Sequence, residues 1–568
     1  MNQANDLAHY LAEHRPLDAY VSLNALLEHA SRHYTDRPAF SNEGVTLTFS
    51  ELDALSAELA AYWQKHTNLV PGDRVAMMLP NILHFPIVAY SLLRSGLVLV
   101  NISPLLEKAE LLHQLKDSGA RGLVFLEVFG DVVESIMAET DIDHVMVARL
   151  GDLHTTRRRF LINTVARYVH KRIPEFDLPQ AVEFMAALEL GHEHAFVPPD
   201  TQSEDVAMIQ YTMGTTGLAR GVLLSQRNLL ANVAQIQFHL EKSSAQPSGL
   251  VAGREVILAP LPLYHVYAFT AHCLCLVAMG CHSVLVTNTR DIASIVRTMR
   301  QWDVTAMTGL NTLFAHLLTH KEFRKLDFQN YHMTLSGGMP VVPSVARAWQ
   351  QATGAPLLDA YGLTEASPAV SISKAGEDYA GHCGKPLSNT EVRICDDAGT
   401  TLVQNAVGEI WVRGPQVFAS YWNAPETTRQ ALTEDGWLRT GDLGAMNPNG
   451  EISVVDRKKD LIVVSGFQVY PSEIETVVHR HPKVASCAAI GETDAHGQQR
   501  IHLFVVPRDA EESAGEIALS DKEILHHCRA HLDGYKVPKL VTVCEDLPVS
   551  AVGKVLRRKL RGTNTRLD

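Results

Sequence analysis

The sequence predicts an α/β protein. It should have a large N-terminal domain of doubly wound sheets that includes a small β-barrel-like unit, then a small α+β C-terminal domain. Three observations predict it. Helical and strand patterns alternate from about residue 20 to 200 and again after a connector at Ser243–Glu255, as in parallel sheets wound on both faces. From about Ser388 the texture changes to short alternating strands, punctuated by Asp396-Asp397-Ala398-Gly399 and Asn447-Pro448-Asn449-Gly450 turns. Past Lys459 comes a compact helix–strand run of about 110 residues, an ordinary domain size. The expected limits are 1–457 for the large domain, with its β-rich part at about 388–457, and 458–568 for the small one.

The elements follow in order. Leu52, Leu55, Leu59 and Tyr62 recur at helical spacing in Glu51–His66, and Thr48-Phe49-Ser50 supplies the helix start. Pro71–Asn81 reads as a turn and a buried strand. A helix, a strand at Leu97–Asn101, the helix AELLHQLKDSGA and the strand RGLVFLE continue the alternation. Further on, Leu229, Val233, Ile236 and Leu240 share one helical face, with Ser225 placed to cap it. In the last domain PSEIETVVHRHP and EILHHCRAHL are helical, and CAAIGE and IHLFVVPR are strands.

Bulk properties bound the function. A chain of 568 residues is too long for one core. With 46% hydrophobic and 20% charged residues it is ordinary for a soluble enzyme. The net charge of −13 argues against a nucleic-acid partner, so local cations must meet any anionic ligand. Eight cysteines form no disulfide framework, and Cys273, Cys275 and Cys281 lie in apolar sequence as buried thiols. The N-terminus lacks the basic start and apolar core of a signal peptide. Val266–Val286 is long and apolar, but His272, His282 and Gly280 divide it into a buried helix–strand pair rather than a membrane span. A cytoplasmic enzyme is expected.

One stretch leaves two readings open. Between Thr155 and Pro179, Arg157, Arg158, Arg159, Arg167, Lys171 and Arg172 interleave with Phe160, Leu161, Val165, Tyr168 and Val169. A basic amphipathic helix can lie peripherally on an anionic membrane surface. It can equally pack its apolar side on its own domain.

The chemistry centres on Asp205–Gly221, an apolar strand running into Tyr211-Thr212-Met213-Gly214-Thr215-Thr216-Gly217 with Arg220 beyond. Small residues let backbone N–H groups approach a ligand, the hydroxyls add donors, and a neighbouring cation points to phosphate. Neither a Walker A nor a Gly-x-Gly-x-x-Gly pattern is present. The loop is placed between a strand and a helix. Further clusters are Thr334–Val341 with two glycines, Leu357–Pro368 with Tyr361, Thr364 and Glu365, Trp437–Gly444 with Asp442, and the VVDRKKD run with Arg457 and Lys459. Gly466 follows in VVSGF, and Lys554 stands beside Gly553.

Together and in this order, these elements resemble the adenylate-forming superfamily of acyl-CoA synthetases, free-standing adenylation domains and luciferases. The phrases LPLYHVYAFT, TGLNTLFAHLL, LSGGMPV, DLIVVSGFQVYPSEIE and GYKVPKLV are most similar to those of bacterial long-chain fatty acid–CoA ligases. The resemblance runs from Thr48 to Lys554. It implies ATP and CoA as co-substrates, Mg²⁺, and a fatty acid that becomes acyl-AMP and then acyl-CoA. It also implies the site. Thr212, Thr215, Thr216 and Arg220 would grip the β- and γ-phosphates within the Tyr211–Gly217 loop. Glu365, with Thr216, would take the metal, and Thr364 the α-phosphate. Tyr361 would stack on adenine near Gly338, and Asp442 with Arg457 would hold the ribose. Lys554 would bridge the carboxylate and α-phosphate in the first step and leave in the second, as the small domain turns about Lys459. Gly466 would then line the pantetheine tunnel, and His265 the acyl-carboxylate pocket.

Two positions depart from the loop pattern of these relatives. Met213 stands where Gly or Ser is usual, and Arg220 replaces a Lys, exchanging a compact ammonium for a planar fork. Gln226 stands where close relatives have His. Medium-chain or aryl acids, a carrier protein as acyl acceptor, and a catalytically weak acyl- or nucleotide-binding sensor are the alternatives. A homodimer is admitted, and an appended carrier domain is not expected.

Overall fold

Thr48 opens the longest N-terminal helix, Phe49–His66. Its hydroxyl accepts from the Glu51 amide, and the Glu51 carboxylate returns a bond to the Thr48 amide, so two otherwise orphaned donors are satisfied. Leu52, Leu59 and Tyr62 are buried along it, as their spacing predicts. The computed structural model describes residues 20–165, 173–213, 219–241, 248–374, 377–464, 467–493, 499–508, 519–550 and 553–561.

The predicted alternation folds into two sheets. One has seven strands, in the order Ala181–Glu183, His144–Ala148, Gly122–Leu126, Arg74–Met78, Val98–Asn101, Val206–Met213, Ala219–Ser225. The pairs are parallel up to Val206–Met213, and Ala219–Ser225 is antiparallel to it. Strands covered on both faces are apolar throughout, and Gly122–Leu126 is buried at every residue. The other sheet has nine strands, with Val256–Ala259, Ala306–Gly309, Met333–Gly337 and Leu357–Gly362 parallel at its centre and antiparallel strands at both ends. The Asn81 side chain joins the two sheets, donating to the carbonyls of Ala259 and Leu261 and accepting from the Leu263 amide.

The apolar Val266–Val286 stretch is the predicted helix–strand pair. Helical residues Val266–Ala278 pass through a π-helical turn at Phe269–Cys275, and His282–Leu285 is a strand. His272 is fully buried, with its ring nitrogens at 3.0 Å from Ser283 Oγ and 2.9 Å from Thr308 Oγ1. Burial drives its pKa down to about 3, so it stays neutral and pins this helix to two strands. Among the described residues no helix is long and apolar enough to cross a membrane. Cys273, Cys275 and Cys281 are buried free thiols.

The chain forms two compact units, residues 1–391 with 412–438, and 392–411 with 439–568. The first holds both large sheets. In the second, Pro471–Val478 and Asp521–His531 flank a three-stranded sheet of Val484–Thr493, Gln499–Pro507 and Leu540–Val543 around a core of Ile474, Val478, Leu503, Val505 and Ile524. The alternating strands of the β-rich stretch, Glu391–Cys395, Gly408–Arg413, Leu438–Met446 and Ile452–Arg457, form a four-stranded sheet in chain order. Ser472 fastens its last strand to the following helix, its amide donating to Asp456 Oδ2 and its hydroxyl to the Val455 carbonyl.

The basic stretch is helical over Thr156–Thr164, and residues 166–172, with Arg167, Lys171 and Arg172, lie outside the described residues. This helix buries none of its residues, and Phe160 and Leu161 are 74% and 60% exposed. The expectation that its apolar side packs on the domain therefore fails for these two side chains.

Candidate active site

The residues on either side of the Gly/Thr stretch lie on two antiparallel strands, so the preceding strand is not followed directly by a helix. Val206–Met213 pairs antiparallel with Ala219–Ser225, placing Tyr211 opposite Gly221, Thr212 opposite Arg220 and Met213 opposite Ala219. The helix Gln226–Leu240 begins only after this second strand, where Ser225 caps it as predicted. Sequence reading missed the strand because its seven residues, ARGVLLS, join the loop to the helix without turn punctuation. Gly214, Thr215, Thr216 and Gly217 lie outside the described residues, as does the Met213 side chain.

Two elements brace the hairpin. The Tyr211 hydroxyl donates to Asp117 Oδ2 at 2.6 Å, and burial together with this carboxylate holds the phenol protonated. The Asp117 carbonyl accepts from Trp422 Nε1 at 2.7 Å. Residues 418–422 run beside the second strand, with Val222 bridged to Tyr421, the Leu223 amide on the Ser420 carbonyl, and the Trp422 amide on the Gly221 carbonyl. Only glycine fits at 221, since a Cβ would stand 2.7 Å from Ile209 Cγ2 and 3.2 Å from Trp422 Cβ.

Glu365 lies in a 3₁₀ turn, Thr364–Ala366, just past the strand Leu357–Gly362. Its Oε1 accepts the Tyr421 hydroxyl at 2.7 Å, and its carbonyl accepts the Phe418 amide at 2.8 Å. Tyr421 thus touches both the carboxylate and the hairpin strand. Its phenol is pushed up by burial and then by the Glu365 charge, with Arg220 opposing. Tyr361 is buried near the end of its strand. The pairing of Gly337 with Ala360 sets Gly338, with φ +82°, beside it. Thr364 is half-buried.

His265 caps the short helix Val266–Ala268, its Nδ1 accepting the Tyr267 amide at 3.3 Å. The next residue back, Tyr264, takes Gln210 Nε2 on its carbonyl at 3.2 Å, so His265 is fastened to the strand that carries Tyr211. Thr212, Arg220, His265, Gly338, Tyr361, Thr364 and Glu365 all belong to the first unit.

The second unit carries the other predicted residues. Asp442 is 4% exposed and faces Arg457 across antiparallel strands, with Oδ1 at 2.9 Å from Nε. Thr440 Oγ1 accepts the Asp442 amide at 3.1 Å and itself donates to the Ile410 carbonyl at 2.7 Å, fixing the turn. Lys459 lies in the 3₁₀ turn Lys458–Asp460 immediately after Arg457 and is exposed. Lys554 sits where Val549 bridges Val555, its amide donating to Ser550 Oγ at 3.1 Å. Desolvation, and after it the Arg457 charge, lower its pKa to about 8, while Asp442 and Asp460 pull the other way. Asp442, Arg457 and Lys554 therefore share one electrostatic neighbourhood. Gly466 lies outside the described residues, between Ile462–Val464 and Phe467–Val469, which pair antiparallel.

Three residues of this constellation were not legible in sequence. Tyr421 and Asp117 carry no local pattern, because their partners are 56 and 94 residues away. Asp359 is buried on the Leu357–Gly362 strand, where desolvation pushes it up to about 7 against the Cys383 thiol on its Oδ2. An acid in an apolar strand was its only signal.

The sequence-predicted residues thus fall into two groups, a hairpin tied through Tyr421 to the Glu365 carboxylate, and a second unit holding the Asp442–Arg457 pair and a lysine of lowered pKa. Comparison with known proteins gives the class. The description "AMP-binding enzyme" matches residues 27–422, and "AMP-binding enzyme C-terminal domain" matches 473–554. The chain belongs to the AMP-binding enzyme family. It is 43% identical over 545 residues to a long-chain-fatty-acid–CoA ligase of Salmonella typhimurium, covering 96% of this chain and 95% of that protein. A Bacillus subtilis protein of the same name is 31% identical over 561 residues, covering 98% and 96%. Among solved structures, an anthranilate CoA ligase in complex with anthranoyl-AMP superposes with a TM-score of 0.82 at 22% identity, covering 96% of this chain and 97% of that one. That likeness supports the fold.

Proposed function

We infer that this chain is an ATP-dependent long-chain fatty acid–CoA ligase. The observation that carries this is the 43% identity to a ligase of that name over 96% of the chain. The fatty acid carboxylate attacks the α-phosphorus of ATP, forming acyl-AMP and releasing pyrophosphate. The CoA thiolate then attacks the acyl carbon and AMP leaves. Joining two anions demands that charge be neutralised where it develops, so cations and N–H donors dominate the design.

The residue roles are our proposal. Thr212 and Arg220, with Thr215 and Thr216, bind the β- and γ-phosphates. Their support is the hairpin register that puts Thr212 opposite Arg220. Thr364 meets the α-phosphate, Tyr361 covers adenine beside Gly338, and His265 borders the acyl carboxylate. Asp442 accepts from the ribose hydroxyls while Arg457 holds its other side in place. Lys554 gives its ammonium to the carboxylate and α-phosphate during adenylation only. The functional small domain is then 458–568, turning at Lys459 against 1–457, and Gly466 serves the pantetheine arm in the second step.

Magnesium fits the donor set. A carboxylate oxygen suits this hard cation, and Tyr421 occupies Glu365 Oε1, which fixes the orientation of the other oxygen. Glu365, with Thr216, would hold the ion, and the ion would neutralise the phosphates.

We also propose that a cytoplasmic enzyme meets its substrate at the membrane face. Arg157, Arg158 and Arg159 flank the exposed Phe160 and Leu161, a combination that favours anionic lipid. The reaction is tested with acids from short to long chains plus benzoate, following AMP formation with and without CoA. Pyrophosphate release with fatty acids and AMP release only with CoA are expected. AMP-forming turnover confined to benzoate, or acyl-AMP that CoA does not consume, would reject the ligase assignment.

A further inference from the structure

The strap Phe418–Trp422 touches two parts of the site that lie far apart in sequence. Along one edge it lies on the phosphate hairpin, with Val222 bridged to Tyr421, Leu223 N on the Ser420 carbonyl at 3.1 Å and Trp422 N on the Gly221 carbonyl at 2.8 Å. On its other side the Phe418 amide meets the Glu365 carbonyl at 2.8 Å, and the Tyr421 hydroxyl donates to Glu365 Oε1 at 2.7 Å. Tyr421 is itself fixed. Its amide donates to Thr428 Oγ1 at 3.0 Å, and its ring packs edge-on against Phe418 with centroids 4.7 Å apart.

We propose that Tyr421 is a positioning residue for the Glu365 carboxylate. Its hydroxyl sets the carboxylate plane and presents the remaining oxygen to the magnesium ion of ATP, in register with the phosphate hairpin. The inference rests on the reading of Glu365 as metal ligand. A free glutamate has several rotamers to lose on binding an ion, and an outer hydrogen bond removes that cost in advance. Because Ser420, Tyr421 and Trp422 of the same strap pair with the hairpin strand, the carboxylate and the hairpin cannot shift independently. A purely structural strap would need only the backbone bonds. The side-chain hydroxyl on Oε1 is what makes the arrangement specific to the carboxylate.

The test is Tyr421→Phe, which keeps the ring, its packing and every backbone bond of the strap. ATP affinity is measured by calorimetry on the full chain, with magnesium present and with EDTA. The strengthening of ATP binding by magnesium should fall about 10–100-fold, the usual loss when a ligand's outer partner is removed. ATP affinity in EDTA and the conversion of supplied acyl-AMP to acyl-CoA should be unchanged, which also certifies the fold. An unaltered magnesium increment overturns the proposal, and so does an equal loss of ATP affinity with and without the metal. Glu365→Gln separates the two levels. If it too leaves the magnesium increment intact, the metal-ligand reading itself has failed.

Discussion

Lys554 offers the most decisive perturbation, because its charge and its role can be tested on separate half-reactions. Its ammonium is lowered from 10.5 to about 8, first by desolvation and then by the Arg457 charge. That lowering amounts to about 3 kcal/mol against the charged form. The group stays mostly cationic at neutral pH and loses its proton through about pH 8. If the ammonium stabilises the adenylation transition state, pyrophosphate release should fall about tenfold per pH unit above about 8. Conversion of supplied acyl-AMP to acyl-CoA should show no such fall. Lys554→Ala should lower adenylation by about 10²–10³-fold, the loss typical of one transition-state donor, and leave the thioester step near wild type. Lys554→Arg, whose guanidinium stays charged, should abolish the alkaline limb even where its bulk lowers the rate. Both half-reactions are followed from about pH 7 to 10, by pyrophosphate release and by AMP release from acyl-AMP. An adenylation rate flat through that range refutes the ammonium's role, and an equal fall of both half-reactions in Lys554→Ala refutes its restriction to one step. The sign for stability is separate. Between about 8 and 10.5 the unfolded chain still binds the proton that the folded chain has released, so this group makes stability rise with pH there.

Other perturbations test other parts of the molecule. Met213→Gly should raise ATP-dependent turnover by restoring backbone freedom in the loop; an equal or lower rate means the loop has adapted to methionine. Replacing Arg157, Arg158 and Arg159 by glutamate should abolish flotation with anionic liposomes, and wild-type binding should weaken with salt. Salt-insensitive binding, or none by the wild-type chain, removes the membrane reading. Asp359 is pushed up to about 7 by burial, so between 3.8 and about 7 the folded chain holds a proton the unfolded chain has lost, and stability falls as pH rises. Asp359→Asn should therefore be more stable than wild type above pH 7, by up to about 4 kcal/mol, read from melting curves at about pH 5 and 8. A variant less stable at both would show that the carboxylate itself is needed.

The helices and strands were legible in the chain, because what makes each of them here is local. Thr48 and Glu51 cap a helix whose leucines are three and four apart, and Ser225 caps Gln226–Leu240 with Asn228 in the same way. Apolar runs long enough for a strand but broken by His272, Gly280 and His282 could not become a span. The phrases that mark the family were legible too, since each is contiguous in the chain. What those phrases touch was set by packing between distant parts of the chain. Strand order in a sheet depends on which apolar faces pack best, and no residue announces its neighbour across the sheet. So Thr212 and Arg220 came to face each other across two strands, because Ala219–Ser225 found its partner in Val206–Met213. Asp117 reached Tyr211 from the end of a helix, and Tyr421 reached Glu365 from a strap outside the sheets, contacts that only tertiary packing sets up. The basic helix shows the same division: its pattern named an apolar side, but whether Phe160 and Leu161 meet the domain or face outward depended on what the fold left beneath them.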